Sequence, residues 1–251
     1  MSETPHITLL GIKVHRVDMA TTLDLIREFI ASGRPHMIVT ADASSIARSQ
    51  TDHELRDLIN DADLVTPDGI GVLWGAEKLG TPLIERVSGV EIAERMCEMS
   101  AREGFSIYFL GAAPGVAELA AQKMGEKYPG LVVAGTHDGY FDASHDVEIA
   151  ALVKASGARA LLVAMGIPRQ EKFIRDNMDG LGVCVAMGVG GSFDVFSGKV
   201  RRAPGFIQKL KIEWLYRFLQ DPKGKFSRMH LLRHYRSMVL REREKIAEAR
   251  K

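Results

Sequence analysis

The sequence predicts an α/β protein: a mainly parallel sheet flanked by helices, opened by a β-hairpin and followed by a basic helical appendage. Three observations predict it. Short β-branched runs alternate with amphipathic stretches as far as Gly198. Glycine-rich turns follow several of those runs, as where parallel strands feed helices. The charge also divides along the chain. Residues 199–251 hold 16 Lys/Arg and 5 Asp/Glu, a net of +11, whereas residues 1–198 hold 17 and 27, a net of −10, beneath an overall +1. Two units are therefore expected, an α/β body over 1–198 and a basic amphipathic appendage over 199–251.

Taken in order, Ile7–Leu10 and Lys13–Val17 flank Gly11 as a hairpin. Thr21–Ser32 spaces Leu23, Ile26 and Ile30 for a helix ended near Gly33. His36–Thr40 is a strand, with a helix from about Ala43 and another over Asp52–Asn60. Leu64–Thr66 is a short strand closed by Pro67, Asp68 and Gly69, after which Gly71–Leu79 returns as a helix. Ser88 caps Val90–Glu103. Strands follow at Ser106–Leu110, Leu131–Gly135, Ala160–Ala164 and Val183–Met187. Their helices are expected through Lys127, over Asp146–Ser156 and up to about Asn177. No internal repeat or low-complexity linker interrupts this Rossmann-like order.

Composition narrows the class. With 251 residues, 46% apolar and 26% charged, the chain can build a sizeable core and is neither disordered nor fibrous. Two cysteines, Cys97 and Cys184, make no disulfide framework, and no Cys/His metal spacing occurs. No apolar run reaches the ~18–20 residues of a spanning helix, and no secretory pattern opens the chain. A cytoplasmic protein in a reducing compartment is expected.

In a parallel sheet the strand ends, turns and helix N-termini converge on one edge, where free N–H groups suit an anion. Glycine lets backbone approach a phosphate closely. Gly111 in Gly111–Gly115, and Gly190 and Gly191 in Gly188–Ser192, are candidates for that approach. Neither turn completes a dinucleotide fingerprint or a P-loop. Asp68, at a sharp turn after a strand, suits a general base or an Asx-turn. Thr40 and Asp42 can bond a substrate or cap the next helix. Arg86 can hold a phosphate or pair with a neighbouring Glu. Gln170, near a helix start, can reach a ligand or serve as a cap. Asp61-Ala62-Asp63 has a metal-like DxD spacing but sits at a helix end. His137, Asp138, Asp142, His145 and Asp146 read as a polar loop rather than a metal site.

The appendage pairs Ile207, Leu210, Trp214 and Phe218 with Lys209, Lys211 and Arg217 at helical spacing. Further on, Met229, Leu232, Tyr235, Met238 and Val239 alternate with Arg228, Arg233, Arg236, Arg241 and Arg243. Such a stripe fits a helix in a membrane interface, or one docked on the body with its charges solvated. Nucleic acid is not expected, because the acidic body would repel it.

Several motifs in register carry a resemblance. Thr66–Gly71, Glu85–Gly89, Phe109–Ala112, Gly135–Phe141, Met165–Lys172, Gly188–Asp194, Arg202–Pro204 and Glu213–Arg217 resemble the WecG/TagA/CpsF glycosyltransferases, in order from about Ile7 to Arg228. The resemblance implies inverting, metal-independent transfer of a sugar, often N-acetylmannosamine, from a UDP-sugar to a polyprenyl-diphosphate-linked saccharide. It implies no cofactor beyond that substrate. Asp68 is similar to the family's proposed base and Thr40 to its neighbour. Arg86, Tyr140, Gln170 and Asp194 would surround the nucleotide sugar, and Arg217 would close the site from the appendage at the membrane. The family often has Asn where Asp42 stands, and arginines where Gly224 and Ser227 stand. An anionic inner leaflet is the implied partner surface for a peripheral protein, and a homo-oligomer is left open. Two other classes stay in view from the residues: an NAD(P)-dependent oxidoreductase, which would need a full GxGxxG, and a non-catalytic nucleotide-sugar-binding module.

Overall fold

Strands without polar alternation must be buried on both faces, and a parallel sheet buries them so by placing a helix after each. The computed structural model describes residues 4–200 and 222–249, with side chains up to 200 and from 230 onward. Its main sheet has six parallel strands: β3 (His36–Ala41), β4 (Leu64–Pro67), β5 (Ser106–Gly111), β6 (Val132–His137), β7 (Ala160–Ala164) and β8 (Val185–Gly188). Their spatial order is β4-β3-β8-β7-β5-β6. Strand β7 is buried at all five positions, whereas β6, at an edge, exposes Val132 and Val133. The chain leaves β5 toward one edge and β7 toward the other, so their ends bracket a switch point in the connections.

The antiparallel hairpin β1 (His6–Leu9) and β2 (Ile12–His15) lies beside the other edge strand. His15 Nδ1 accepts from the Val65 backbone N–H at 2.9 Å, and Lys13 Nζ reaches the Ala62 carbonyl at 2.8 Å. Burial, with Lys13 adding to it, lowers the His15 pKa to about 4. The ring therefore stays neutral and Nδ1 stays an acceptor.

Helices α1 (Met19–Ser32), α5 (Gly89–Glu103), α6 (Val116–Lys127) and α9 (Ser192–Phe196) share one apolar core with one face of the sheet. Helices α2 (Ala43–Ser49), α3 (His53–Asp61), α4 (Ile70–Lys78), α7 (Asp146–Ala155) and α8 (Arg169–Leu181) share the other. Asp18 and Asp52 cap α1 and α3 through their side chains. Three details differ from the sequence-based expectation. Helix α8 runs on to Leu181, because the left-handed stop is Gly182 at φ 68°. The short α9 has too few residues to show a periodicity. Ser88 occupies the N-cap position of α5 but makes no capping bond; its hydroxyl donates to Glu91 Oε2 instead, at 2.8 Å.

A last helix, α10 (Pro222–Ala249), crosses α2 and α4. Tyr235 and Val239 are buried in the body's core, with Leu231 and Met238 partly so. Leu232 of the expected stripe is exposed, as are Arg233, Arg236, Arg241, Arg243 and Lys245. From residue 230 onward the appendage thus docks on the body and turns these cations outward. Residues Ile207, Leu210, Trp214, Phe218 and the candidate Arg217 lie outside the described residues. Among the described residues no helix is long and apolar enough to cross a membrane.

Docking depends on a missing side chain. A Cβ at Gly75 of α4 would lie 2.1 Å from the Tyr235 hydroxyl. Gly75→Ala should therefore cost about 1–3 kcal/mol by overpacking. Tyr235→Phe should be neutral or stabilising, since this buried hydroxyl has no hydrogen-bond partner among the described residues. Chemical denaturation of both variants measures the difference, and equal stabilities would refute this account of the contact.

Candidate active site

Six parallel strands put six turns on one edge, about 24 Å across at ~4.8 Å per strand spacing. At the β4 end, the Asp68 backbone N–H donates to the Ala41 carbonyl at 2.9 Å, which locks the turn to the neighbouring β3. Asp68 Oδ2 then accepts from the Gly89 N–H at 3.1 Å. Gly89 is the first residue of the 15-residue α5, so this carboxylate faces a helix start and its partial positive charge. Thr40, in register with Thr66, reaches the same point: a Cβ at Gly89 would lie 3.2 Å from Thr40 Oγ1. Asp68, Thr40 and Gly89 form one cluster. Gly89 is a site residue that the sequence reasoning missed; its signal was a glycine directly after a helix-capping serine.

Arg86 lies just before that helix. Its Nη2 donates to both Glu91 oxygens at 3.3 Å, so Glu91 on the helix's first turn is a partner. The Glu85 carboxylate instead receives the Met19 N–H at 2.6 Å. Asp42 takes the capping role. Its Oδ1 accepts from the Ser45 N–H at 2.6 Å, and Ser45 Oγ accepts from the Asp42 N–H at 3.0 Å.

The centre of the edge is tied by one amide. Gln170 Oε1 accepts from the Gly166 and Gly190 N–H groups, each at 3.0 Å, and so links the turns after β7 and β8. Its Nε2 donates to Glu171 Oε1 at 2.7 Å. A Cβ at Gly188 would stand 2.4 Å from that Nε2, so only glycine ends β8 here. Gln170 thus braces the site, and the Gly190 N–H is already engaged by protein. Glu171, also unforeseen, is 2% exposed, and burial raises its pKa to about 7 against the pull of the Gln170 bond. Gln170 and Glu171 are buried polar residues at the first turn of a helix that also buries Phe173, Ile174 and Leu181, and the charged Lys172 and Arg175 beside them masked that face in the sequence.

Gly111, at φ 125°, also serves the backbone. A Cβ there would meet the Ala164 carbonyl oxygen at 2.5 Å, while the Ala112 N–H donates to that same oxygen at 2.7 Å. Gly191 is exposed, and a Cβ on it would find only Asp194 Oδ2, at 3.8 Å. That turn, with the half-buried Asp194 above it, leaves room for a ligand. Beyond β6, Tyr140 is 76% exposed on a groove of about 640 Å³ shared with His137, Phe141, His145 and Leu152. Arg169 fixes that loop by pairing with Asp146 and lying over the Phe141 and Phe173 rings at 5.5 and 5.9 Å. Asp63 of the DxD spacing is at the opposite end of β4, where it receives the Met37 N–H at 2.8 Å. No group of three or more His, Cys, Asp or Glu among the described residues is arranged to hold a metal ion.

A family model described as the glycosyl transferase WecG/TagA/CpsF family matches residues 7–251. The chain is 30% identical over 251 residues, 99% of its own length and 98% of the relative's, to a Staphylococcus aureus (strain MW2) protein. That protein is named N-acetylglucosaminyldiphosphoundecaprenol N-acetyl-beta-D-mannosaminyltransferase. A Bacillus spizizenii protein of the same name is 32% identical over 213 residues, 85% of this chain and 82% of the relative.

The brace itself is testable by denaturation. Gln170→Leu leaves two backbone donors and one buried carboxyl without their partner, and should cost about 3 kcal/mol or more. A loss within about 0.5 kcal/mol, the range of an ordinary surface change, would show that the turns do not depend on it.

Proposed function

The chain belongs to the WecG/TagA/CpsF glycosyltransferase family, and from that premise we propose that it moves N-acetylmannosamine or a similar sugar from a UDP-sugar to a polyprenyl-diphosphate-linked saccharide, with inversion and without a metal. The acceptor class follows the names of the two relatives. The observation that carries the reading is the convergence of Asp68 and Thr40 on Gly89 at the start of α5.

The proposed step balances within those groups. Asp68 takes the proton of an acceptor hydroxyl, and that oxygen attacks the anomeric carbon from the face opposite the diphosphate. The anomeric C–O bond breaks, and UDP leaves with the electron pair. The positive end of the α5 dipole and the Arg86 guanidinium offset the charge that gathers on it. The open turn at Gly191 and Asp194 and the groove at Tyr140 leave space along the edge for the rest of an extended nucleotide. Thr40, held against Gly89, positions the reacting hydroxyl.

The membrane reading changes in kind for α10. Tyr235 and Val239 are packed into the body, so the part of this helix from residue 230 onward would meet an anionic leaflet through charge rather than insertion.

Two outcomes are expected. Asp68→Asn should lower turnover roughly 10²-fold or more in an assay with UDP-N-acetylmannosamine, a short-chain polyprenyl-diphosphate acceptor and EDTA. Near-wild-type transfer by the variant would remove Asp68 as the base, and loss of wild-type transfer on adding EDTA would refute metal independence. Replacing Arg233, Arg236, Arg241 and Arg243 with Ser should weaken binding to anionic vesicles by up to several hundred-fold, from about 1 kcal/mol per residue. Unchanged vesicle binding would detach α10 from the membrane.

A further inference from the structure

Glu171 is a buried ionisable group that the proposed step does not use. It stands on the first turn of α8, directly over the last residue of β8: a Cβ at Gly188 would be 2.9 Å from its Oε1. Oε1 accepts the Gln170 amide, whereas Oε2 is buried with no hydrogen-bond partner among the described residues. An open carboxyl oxygen in the interior is costly, and a methionine would fill the same space without burying it. What a carboxylate adds is charge at the end of a chain of hydrogen bonds. The Gly166 and Gly190 N–H groups donate to Gln170 Oε1, and Gln170 Nε2 donates to Glu171. A bond to an ionised acceptor is roughly twice as strong as a neutral one, and such chains polarise one another.

We propose that Glu171 is a positioning residue for sugar transfer, whose ionised carboxylate tightens the Gln170 brace and so holds the turns after β7 and β8 at the spacing the donor requires. The proposal deepens the transferase reading and rests on it for its activity arm only. When Glu171 takes up a proton, the last link of the chain becomes a weak neutral bond and the two turns gain freedom.

The surroundings put this change within reach of neutral pH. Burial raises the pKa to about 7; Asp42 on the adjoining α2 pushes the same way, and the Gln170 bond and Arg48 of α2 oppose it. Two acidic neighbours of α8 are engaged elsewhere. Asp146 of α7 binds Arg169, and Glu54 of α3 binds Lys172 and Arg175. Strand β8 carries no charged residue, and the one titratable group of β3, His36, stands at its start, away from the site edge. The sign follows. The brace is firm above about pH 7 and slack below it, so transfer rises with pH through that value. Global stability runs the other way. Between the ordinary carboxyl value of 4.5 and about 7 the folded chain holds the proton more firmly than the unfolded one, so stability falls as pH rises.

The test uses the full chain, labelled for amide NMR. In the wild type the Gly166 and Gly190 amide resonances should titrate together with a midpoint near 7, and in Glu171→Gln they should not. The same variant should lose the corresponding step in its kcat–pH profile, with kcat at pH 8 reduced about tenfold. Glycine amides that titrate equally in the variant, or not at all in the wild type, would overturn the proposal, as would an unaltered kcat–pH profile. Should Glu171→Gln not fold, the carbon-detected titration of the wild-type Glu171 carboxyl decides alone: a midpoint between 4 and 5 overturns the proposal and one near 7 supports it. Absent transfer by the wild type would sink the transferase reading and the role in transfer with it, while the amide titration would still judge the brace.

Discussion

Every strand of the main sheet runs the same way, and the rest of the molecule answers to that constraint. Parallel strands buried on both faces need a helix after each, so every strand-to-helix turn must share one edge. Crowding there is severe. The β5 turn hydrogen-bonds to β7, the β4 turn to β3, and the β7 and β8 turns to a single glutamine amide. The site is what remains between turns that have already satisfied one another. The cluster of Asp68 and Thr40 lies where the start of a long helix comes up against two strand ends.

Much of this was legible because its causes are local. Hydrophobic runs, capping aspartates and turn glycines fix the strands and most helix bounds without reference to the rest of the chain. Asp68 was legible for the same reason, as a carboxylate at a strand end before Gly69. What was not legible depends on contacts between turns far apart in sequence. Nothing near Gln170 says that its oxygen will meet Gly190, and nothing near Gly89 says that Thr40 will lie against it. Glu171 was hidden for a related reason. A glutamate on a helix with Lys172 and Arg175 reads as solvated until the fold shows which side faces the sheet. Gly111 was read for phosphate, and the backbone of β7 occupies that approach instead.

The charge division at Gly198 was correct as arithmetic and incomplete as anatomy. Tyr235 and Val239 of the last helix join the same core as the hairpin and α8, with Leu231 and Met238 packed against it, while Leu232 and the arginines at 233, 236, 241 and 243 stay outside. A segment can thus be compositionally foreign to a body and still complete its packing, because composition counts all faces of a helix while docking uses one. The two helices beneath it, α2 and α4, begin just after Asp42 and Asp68, so the tail is seated on the elements that frame the Asp68 cluster.

The glycines at 111 and 188 divide the site in evolutionary terms. A side chain at either would come within about 2.5 Å of neighbouring atoms. Those positions are frozen, since change there must move a strand end or break the glutamine tie before it can alter a ligand contact. Freedom lies at the rim, in the exposed Tyr140 loop and at Gly191, where added atoms meet open space or a single carboxylate. Divergence toward a new ligand on this scaffold has its room at that rim, leaving the Asp68 cluster at the β4 end as it is.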